Sequence, residues 1–133
     1  MTESELNNLT KEIIGIAINV HKELGPGLLA KVYHACMAIA LKQAGYHVET
    51  NIAMQLTFRD VVIAEDGYYI DMLVNGAVIV EIKSASEITK LNEKQLGTYL
   101  KLSGKRCGLI LNFNSTLLKD GGIKRQLNGF NPL

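Results

Sequence analysis

The chain has 133 residues, a length typical of one domain, so we predict a single domain over residues 1–133. Hydrophobic residues make up 47% and charged residues 20%, which excludes the compositions of disordered and collagen-like chains. The formal net charge of +1 does not indicate a nucleic-acid partner, although one face of a nearly neutral protein can still be basic. No apolar run is long enough to span a bilayer, the N-terminus is polar, and Cys36 and Cys107 lack a CxxC spacing. These features predict a cytoplasmic protein with two reduced thiols and no membrane partner.

Two helical patterns fill the first third of the chain. The first has apolar residues at helical spacing from Leu6 to Leu24 and ends at the helix-breaking residues 25–27. The second has its apolar residues at Leu29, Val32, Cys36, Ile39 and Ala40. Gly45 is its predicted C-cap. The pattern is compatible with one bent helix or with two packed helices.

The middle of the chain alternates loosely between apolar and polar residues, which predicts β-strands. One strand covers residues 46–58. Turns at 59–60 and 65–67 flank a short strand at 61–64. A hairpin with an Asn75-Gly76 turn then occupies residues 68–84.

The last third contains one more helix and one more strand. The helix has its apolar side at Ile88, Leu91, Leu96, Tyr99, Leu100 and Leu102. It ends at Gly104, and the continuous apolar run at 107–113 predicts a strand that is buried on both faces. The tail, residues 115–133, is predicted to contain a weak helical segment and a frayed end.

Three charged residues, Asp71, Glu81 and Lys83, interrupt the apolar hairpin. The ordinary interpretation is that such residues face water on the exposed side of a sheet. Both faces of the second strand carry Ile or Val, however, which is typical of a central strand, so its charges must be paired, bind metal or open into a cleft. Carboxylate oxygens are ligands that magnesium prefers. Lys83 lies on the face of Glu81, where it could orient a water or neutralise charge on a phosphate.

This metal-site hypothesis depends on the length of the hairpin loop. A two-residue Asn75-Gly76 loop would place Asp71 opposite Val80 and turn it away from Glu81. A three-residue loop, either 74–76 with a bulge or 75–77, would place both carboxylates on one face. The hypothesis therefore predicts the less common loop.

An acid on one strand followed by Glu-x-Lys on the next, in an α-β-β-β-α-β order, resembles the PD-(D/E)XK nuclease superfamily. Asp71 matches its strand aspartate, and Glu81 and Lys83 match its signature. In the next helix, Gln95 and Tyr99 lie one turn apart and are similar to the Gln-x-x-x-Tyr motif of RecB-type members. Taken alone, these two would be interpreted as a solvated Gln and a core Tyr. The resemblance implies an α/β, restriction-endonuclease-like fold with a central mixed sheet flanked by helices.

Six sequence blocks, in the same order and over nearly the whole chain, resemble the small bacterial GxxExxY family within that superfamily. They are VHKELGPGLLAKVYHACMA, YYIDMLV, VIVEIKS, QLGTYLKLSG, GLILNFN and LLKDGGIKR. The family's first-helix glutamate, which commonly helps to bind metal or water, corresponds to Ala30, between Gly27 and Tyr33. Glu23 could substitute for it. His34, at a position that is often acidic in relatives, could reach the same place, although an exposed helical histidine is the simpler interpretation.

The resemblance implies a metal-dependent nuclease that hydrolyses phosphodiester bonds. The loss of the helix acid is compatible with weaker metal binding, with slower turnover and with an inactive site. Mg²⁺ or Mn²⁺ would bind Asp71, Glu81 and the backbone carbonyl of Ile82. Lys83 would activate water or stabilise charge, Gln95 would position Lys83 or the phosphate, and Tyr99 would support the site. The resemblance favours DNA over RNA as the nucleic acid, and analogy with small superfamily members suggests a homodimer.

Two other functions stay open. A catalytically inactive module with the nuclease fold could bind nucleic acid or a protein partner, and both Ala30 and the near-neutral charge favour it. Its phosphate contacts would come from Lys101, Lys105, Arg106, Lys119, Lys124 and Arg125. A small-molecule hydrolase with a thiol or hydroxyl nucleophile is the third hypothesis, and the chain has no Gly-x-Ser-x-Gly motif to support it.

Overall fold

The computed structural model of the chain describes residues 1–128, without the side chains of residues 64–67. In chain order, its elements are α1 (Glu3–Leu24), α2 (Ala30–Gln43), β1 (Val48–Phe58), β2 (Val61–Val74), β3 (Val78–Lys83), α3 (Lys90–Ser103), β4 (Cys107–Asn112) and β5 (Ile123–Leu127). Among the described residues, no helix is both long enough and apolar enough to cross a membrane.

The five strands form one mixed sheet in the order β1-β2-β3-β4-β5. Neighbouring strands are antiparallel except β3 and β4, which are parallel and are connected through α3. Such a parallel pair needs a crossover connection, and a helix is the usual one. Buried residues of α1 and α2 pack on one face of the sheet, and those of α3 pack on the other. This confirms the α/β fold class with a mixed sheet flanked by helices, consistent with a restriction-endonuclease-like core.

The two N-terminal helices are separate and packed against each other. A capping box between Thr2 and Glu5 starts α1, because each side chain bonds the other residue's backbone N–H. The cap at the end of α2 is Ala44, and Gly45, which was the predicted cap, follows it with a φ of 95°. The chain is thus two packed helices rather than one bent helix.

The predicted apolar stripe of α2 points largely outward. Leu29, Val32 and Ile39 are exposed. The buried side of the helix consists of Tyr33, Met37, Ala38 and Leu41. Because α2 is apolar on most of its circumference, its periodicity does not select one stripe. The larger Tyr and Met side chains fill the space above the sheet.

Two other secondary-structure predictions are wrong. Residues 65–67 lie within the continuous strand β2, where a turn was predicted. The tail forms β5, where a helical segment was predicted, because β5 supplies hydrogen-bond partners to the outer edge of β4. The predicted frayed end, 129–133, lies outside the described residues. The helix ending at Gly104 and the fully buried strand β4 are confirmed.

Candidate active site

The hairpin between β2 and β3 has a three-residue loop. Met72 pairs with Val80 and Val74 pairs with Val78, so residues 75–77 form the loop. Asn75 and Gly76 adopt left-handed conformations, with φ of 52° and 63°, which Asn and Gly tolerate best. This confirms the less common loop that the metal-site hypothesis required. In this register Asp71 falls opposite Glu81, on the face that α3 covers.

The two carboxylates at the end of the hairpin are linked through the backbone. The Asp71 N–H donates to Glu81 Oε1 at 3.2 Å, and the Ile82 N–H donates to Asp71 Oδ2 at 2.7 Å. These side-chain bonds satisfy backbone N–H groups just beyond the paired region of β2 and β3, which ends at Met72 and Val80. Glu81 is buried, with 7% exposure, whereas Asp71 is half-buried.

The electrostatics of the pair favour a bound cation. Burial, followed by the negative charge of Asp71, raises the pKa of Glu81 to about 8. The Asp71 N–H and the nearby positive charge of Lys83 oppose this rise in pKa without cancelling it. The raised pKa of Glu81 means that its proton is favoured at neutral pH, and a cation bound beside the carboxylates would favour its ionised form.

Tyr99 covers this site from α3. It is buried, and its ring centroid lies 6.1 Å from that of Tyr68 on β2. Burial raises the pKa of the Tyr99 phenol, and the charge of Glu81 is the next contribution. Gln95, one turn earlier, is exposed. The structure therefore brings together Asp71, Glu81, Lys83 and Tyr99, and leaves Gln95 at the surface.

A cleft of about 320 Å³ lies beside Asp71. Its lining residues come from α2, β1, β2 and β3 and are Ala30, Lys31, His34, Asn51, Asp71 and Ile82. Ala30, where the family resemblance places glutamate, is therefore at the cleft. Glu23, the suggested substitute, is exposed on the last turn of α1 and is not among these lining residues.

His34 contacts the site, so the interpretation as an exposed helical histidine is wrong. The residue is half-buried, and its Nε2 lies 2.9 Å from the backbone carbonyl oxygen of Asp71. Because a carbonyl oxygen only accepts, Nε2 carries the hydrogen in this bond. His34 thereby ties the first turns of α2 to the strand that carries Asp71.

A family model described as the PD-(D/E)XK nuclease superfamily matches residues 7–126, from α1 to β5. The chain belongs to this superfamily. No curated protein and no solved structure matched the chain. The matched range includes Asp71, Glu81 and Lys83, the residues in which the superfamily's strand acid and its Glu-x-Lys signature were identified.

The donor set suits one hard divalent cation of the kind that PD-(D/E)XK nucleases generally use. Two carboxylates lie side by side, and the Ile82 carbonyl points toward the same strand edge as its N–H, which bonds Asp71. Among the side chains that the structure describes, those of residues 1–63 and 68–128, no group of three or more His, Cys, Asp or Glu is arranged to hold a metal ion. Mg²⁺ is commonly bound by one or two carboxylates together with water and substrate phosphate, so the residues fit one ion. They do not supply the ligands of a second ion.

Sequence patterns did not identify several residues that lie around Asp71 and Glu81. Lys31 and Asn51 line the cleft. Asn51 adopts a left-handed φ of 52°, which Asn tolerates better than most residues, and this preference is its only sequence signal. The Tyr33 hydroxyl donates to the Gly25 carbonyl and accepts from the Leu28 N–H, so it braces the loop between α1 and α2.

The basic residues proposed as a phosphate-binding edge have partners inside the protein in two cases. Arg106 donates to the backbone carbonyl of Met1, and Arg125 donates to Asn7 Oδ1 at 2.6 Å. The first bond ties the residue before β4 to the N-terminus of the chain, and the second ties β5 to the first part of α1. These two arginines therefore have structural roles.

Proposed function

We propose that this chain is a metal-dependent nuclease of the GxxExxY family that hydrolyses phosphodiester bonds of nucleic acid, with DNA preferred over RNA. The observation that carries the proposal is the hairpin of β2 and β3. Its register, continued by one residue, brings Asp71 opposite Glu81, where the Asp71 N–H donates to the Glu81 carboxylate. Burial, followed by the negative charge of Asp71, raises the pKa of Glu81 to about 8. Such a pair costs stability unless it serves a ligand, and a divalent cation is the ligand that suits it.

Each residue of the site has a proposed role. Asp71, Glu81 and the Ile82 carbonyl would hold Mg²⁺ or Mn²⁺. A divalent ion bound there polarises a phosphodiester and lowers the pKa of an attacking water. Lys83, close enough to Glu81 to affect its pKa, stabilises negative charge that develops on the phosphate oxygens.

The α3 residues act around this centre. Tyr99 keeps bulk water away from Glu81, which strengthens the electrostatic interactions at the carboxylates. Gln95 is exposed one turn away, where a nucleic-acid strand that enters the site can reach its amide. Its role is to contact the strand or to position Lys83.

The test is metal-stimulated cleavage of DNA by the purified protein and by two variants, Glu81→Gln and Lys83→Met. Each variant is expected to lose cleavage by roughly 10³-fold or more. Matched controls are Glu49→Gln and Lys42→Met, which alter exposed residues of β1 and α2 and should retain full activity. Circular dichroism confirms that each variant is folded. Unchanged cleavage by Glu81→Gln or Lys83→Met would refute the assignment.

Ala30 favours a second candidate, a catalytically inactive module that binds nucleic acid. The first turn of α2 supplies no carboxylate to the cleft, and the described part of the chain has no three-ligand cluster. This alternative predicts binding that weakens steeply with salt and is indifferent to magnesium. Cleavage that requires a divalent metal and disappears in Glu81→Gln would exclude it.

A thiol-dependent hydrolase has little support from the structure. Cys107 is buried in β4, and burial raises the pKa of its thiol, which disfavours the nucleophilic thiolate. Cys36 is half-buried on α2.

A further inference from the structure

The hairpin of β1 and β2 extends well beyond the rest of the sheet. In the part of the chain that the structure describes, β3 pairs with β2 at Met72–Val74, so residues 52–70, which we call the arm, form a ribbon of two strands. At the base of the arm, Met54 and Ile70 are buried against residues of α3. A two-stranded ribbon is marginally stable in water by itself, so the packing of α3 stabilises this half of the arm.

The other half of the arm extends past α3 and is exposed. Burial alternates along β1, and this alternation places Phe58 on the same face as Met54. Val61 pairs with Phe58 across the turn, and Ile63 follows on β2. These three side chains, which we call the tip, are 58%, 65% and 65% exposed. The apolar face of the arm therefore continues beyond α3 into solvent.

The outer edge of the arm lacks the residues that usually protect an edge strand. β1 lies at one edge of the sheet. Edge strands commonly carry lysine, proline or other charged residues that hinder contact with another chain. Residues 50–58, TNIAMQLTF, contain none of these. An exposed apolar tip beside an unprotected edge indicates that another protein surface covers the arm.

An apolar groove of about 350 Å³ lies at the base of the same arm, beside the end of α3. Its lining includes apolar side chains of β1, β2 and α3 together with a lysine, namely Ile52, Met54, Ile70, Leu73, Leu102 and Lys105. Lys105 is half-buried, whereas Asp60, in the turn at the end of the arm, is exposed. The chain thus carries both an apolar tip next to an acid and an apolar groove next to a base.

We infer that two copies of this chain form a twofold-symmetric dimer in which the tip of each arm packs into the groove of the other copy. The tip and the groove lie about six residues apart along β1, roughly 20 Å, so antiparallel arms bring each tip over the other groove. A twofold axis makes the two contacts identical. Phe58 enters the groove, and Asp60 approaches Lys105 of the second copy. The inference goes beyond the proposed function and does not depend on the metal site.

The charges of the arm favour a second copy over nucleic acid. Arg59 lies over the Phe58 ring, 4.9 Å from its centroid, and Asp60 follows it, so the turn has no net charge. Phosphate backbones are bound by an excess of Lys and Arg, which this turn does not offer. The groove of a second copy supplies both an apolar surface for Phe58 and a positive charge for Asp60.

The size of the two surfaces predicts a weak dimer. The exposed parts of the three tip side chains amount to roughly 300 Å² on each copy, and each groove contributes a similar area. An interface of this size falls at the lower end of the range for specific complexes. We therefore expect a dissociation constant of roughly 1 to 100 µM.

Sedimentation equilibrium of the purified chain measures this constant, and a chelator in the buffer keeps the result independent of metal binding. Phe58→Ser should raise the dissociation constant by roughly tenfold or more, because each dimer contains the change twice. Leu91→Ser is the matched control, since Leu91 is an exposed apolar residue of α3 that does not line the groove. This control should leave the constant unchanged.

An exchange of charges tests the arrangement of the two copies. Asp60→Lys and Lys105→Glu each bring like charges together, so each variant alone should dimerise roughly tenfold more weakly. When the two variants are mixed, both contacts of the heterodimer again join opposite charges, and its dissociation constant should return close to the native value. Asp60 has a left-handed φ of 65°, which Asn tolerates, so Asp60→Asn is a second variant that should weaken the dimer less.

Circular dichroism confirms that each variant is folded, and native mass spectrometry identifies the heterodimer. The inference is overturned if the native chain stays monomeric at concentrations far above the expected range, or if Phe58→Ser and Leu91→Ser behave alike. It is also overturned if the mixture dimerises no better than either charge variant alone. A monomeric chain that loses affinity for DNA with Phe58→Ser would show instead that the arm contacts nucleic acid.

Discussion

The site has two sides that differ in how completely they are built. On the strand side, main-chain register places Asp71 against Glu81, and two backbone hydrogen bonds hold both carboxylates in place. On the helix side, α2 brings Ala30 and Lys31 to the cleft, and His34 bonds a backbone oxygen of the strand that carries Asp71. The strand side therefore supplies the carboxylates that could bind a metal ion, whereas Ala30 and Lys31 on the helix side supply no carboxylate.

This difference shows how position in the fold limits what a substitution can change. The two carboxylates depend on register, and a one-residue slip would separate them and turn buried residues toward water. On the first turn of α2, by contrast, one substitution can add or remove a carboxylate without moving the helix or the sheet. Ala30 therefore changes the set of possible metal ligands and leaves the fold in place. Three predictions test whether the two sides are as separate as the geometry indicates.

The largest expected effect lies on the strand side and concerns stability. Because the pKa of Glu81 is raised to about 8 in the folded protein, its contribution to stability is fully present below about 4.5 and is lost as the pH rises through 8. Glu81→Gln cannot ionise, yet keeps the oxygen that accepts from the Asp71 N–H. We expect this variant to be more stable than the native protein by about 2 to 4 kcal/mol at pH 9 without metal, and nearly equal at pH 4.

Urea denaturation in the presence of a chelator, at both pH values, checks this prediction. Glu49→Gln is the matched control, since it replaces an exposed carboxylate on β1. An equal stability difference at pH 4 and pH 9 would show that the ionisation of Glu81 has no part in the effect.

The next effect is the pH dependence of metal binding, also on the strand side. Glu81 must release its proton to bind a cation, so below pH 8 the metal competes with that proton. The affinity for Mn²⁺ should rise by up to about fiftyfold from pH 6 to pH 8 and then level off within a further factor of about two. Calorimetry in two buffers that differ in ionisation enthalpy should show close to one proton released per ion at the lower pH. A flat profile would separate Glu81 from the metal site.

The strand side was largely predictable from the sequence, because the two-residue alternation of side chains determines which residues share a face of the sheet. Side chains alternate along a strand, so the requirement that Asp71 and Glu81 share a face determined the loop length in advance, and the register agrees. The buried strand β4 and the helix ending at Gly104 were equally accessible to pattern analysis. The roles of the site residues themselves stay predictions until the variants are measured.

The helix side was less predictable, because its contacts depend on tertiary packing. The sequence of α2 is apolar around most of the helix, so periodicity selected Leu29, Val32 and Ile39, which are exposed. The bond from His34 joins a side chain to a backbone oxygen 37 positions later, and no local pattern indicates such a partner. The prediction missed β5 for the same reason, because this strand is stabilised by its antiparallel pairing with the edge of β4 and not by a local pattern.

The smallest effect tests the helix side through Tyr33. This buried residue stacks on Phe113, with ring centroids 4.7 Å apart, and its hydroxyl bonds two backbone groups in the loop between the helices. Tyr33→Phe keeps the stacking and leaves those groups without that partner, so we expect a loss of about 1 to 2 kcal/mol in the free energy of unfolding.

The same variant tests whether the loop between α1 and α2 affects the affinity of the site for a metal ion. Ser84, which follows β3, donates to the Leu28 carbonyl at 2.6 Å, so a path of hydrogen bonds runs from Tyr33 through the loop to the strand that carries Glu81. If the two sides are energetically separate, Tyr33→Phe lowers stability and leaves the affinity for Mn²⁺ unchanged. If Mn²⁺ binding weakens as well, the loop positions the strand-side ligands. The helix side would then contribute to metal binding through the backbone, although it has no carboxylate at position 30.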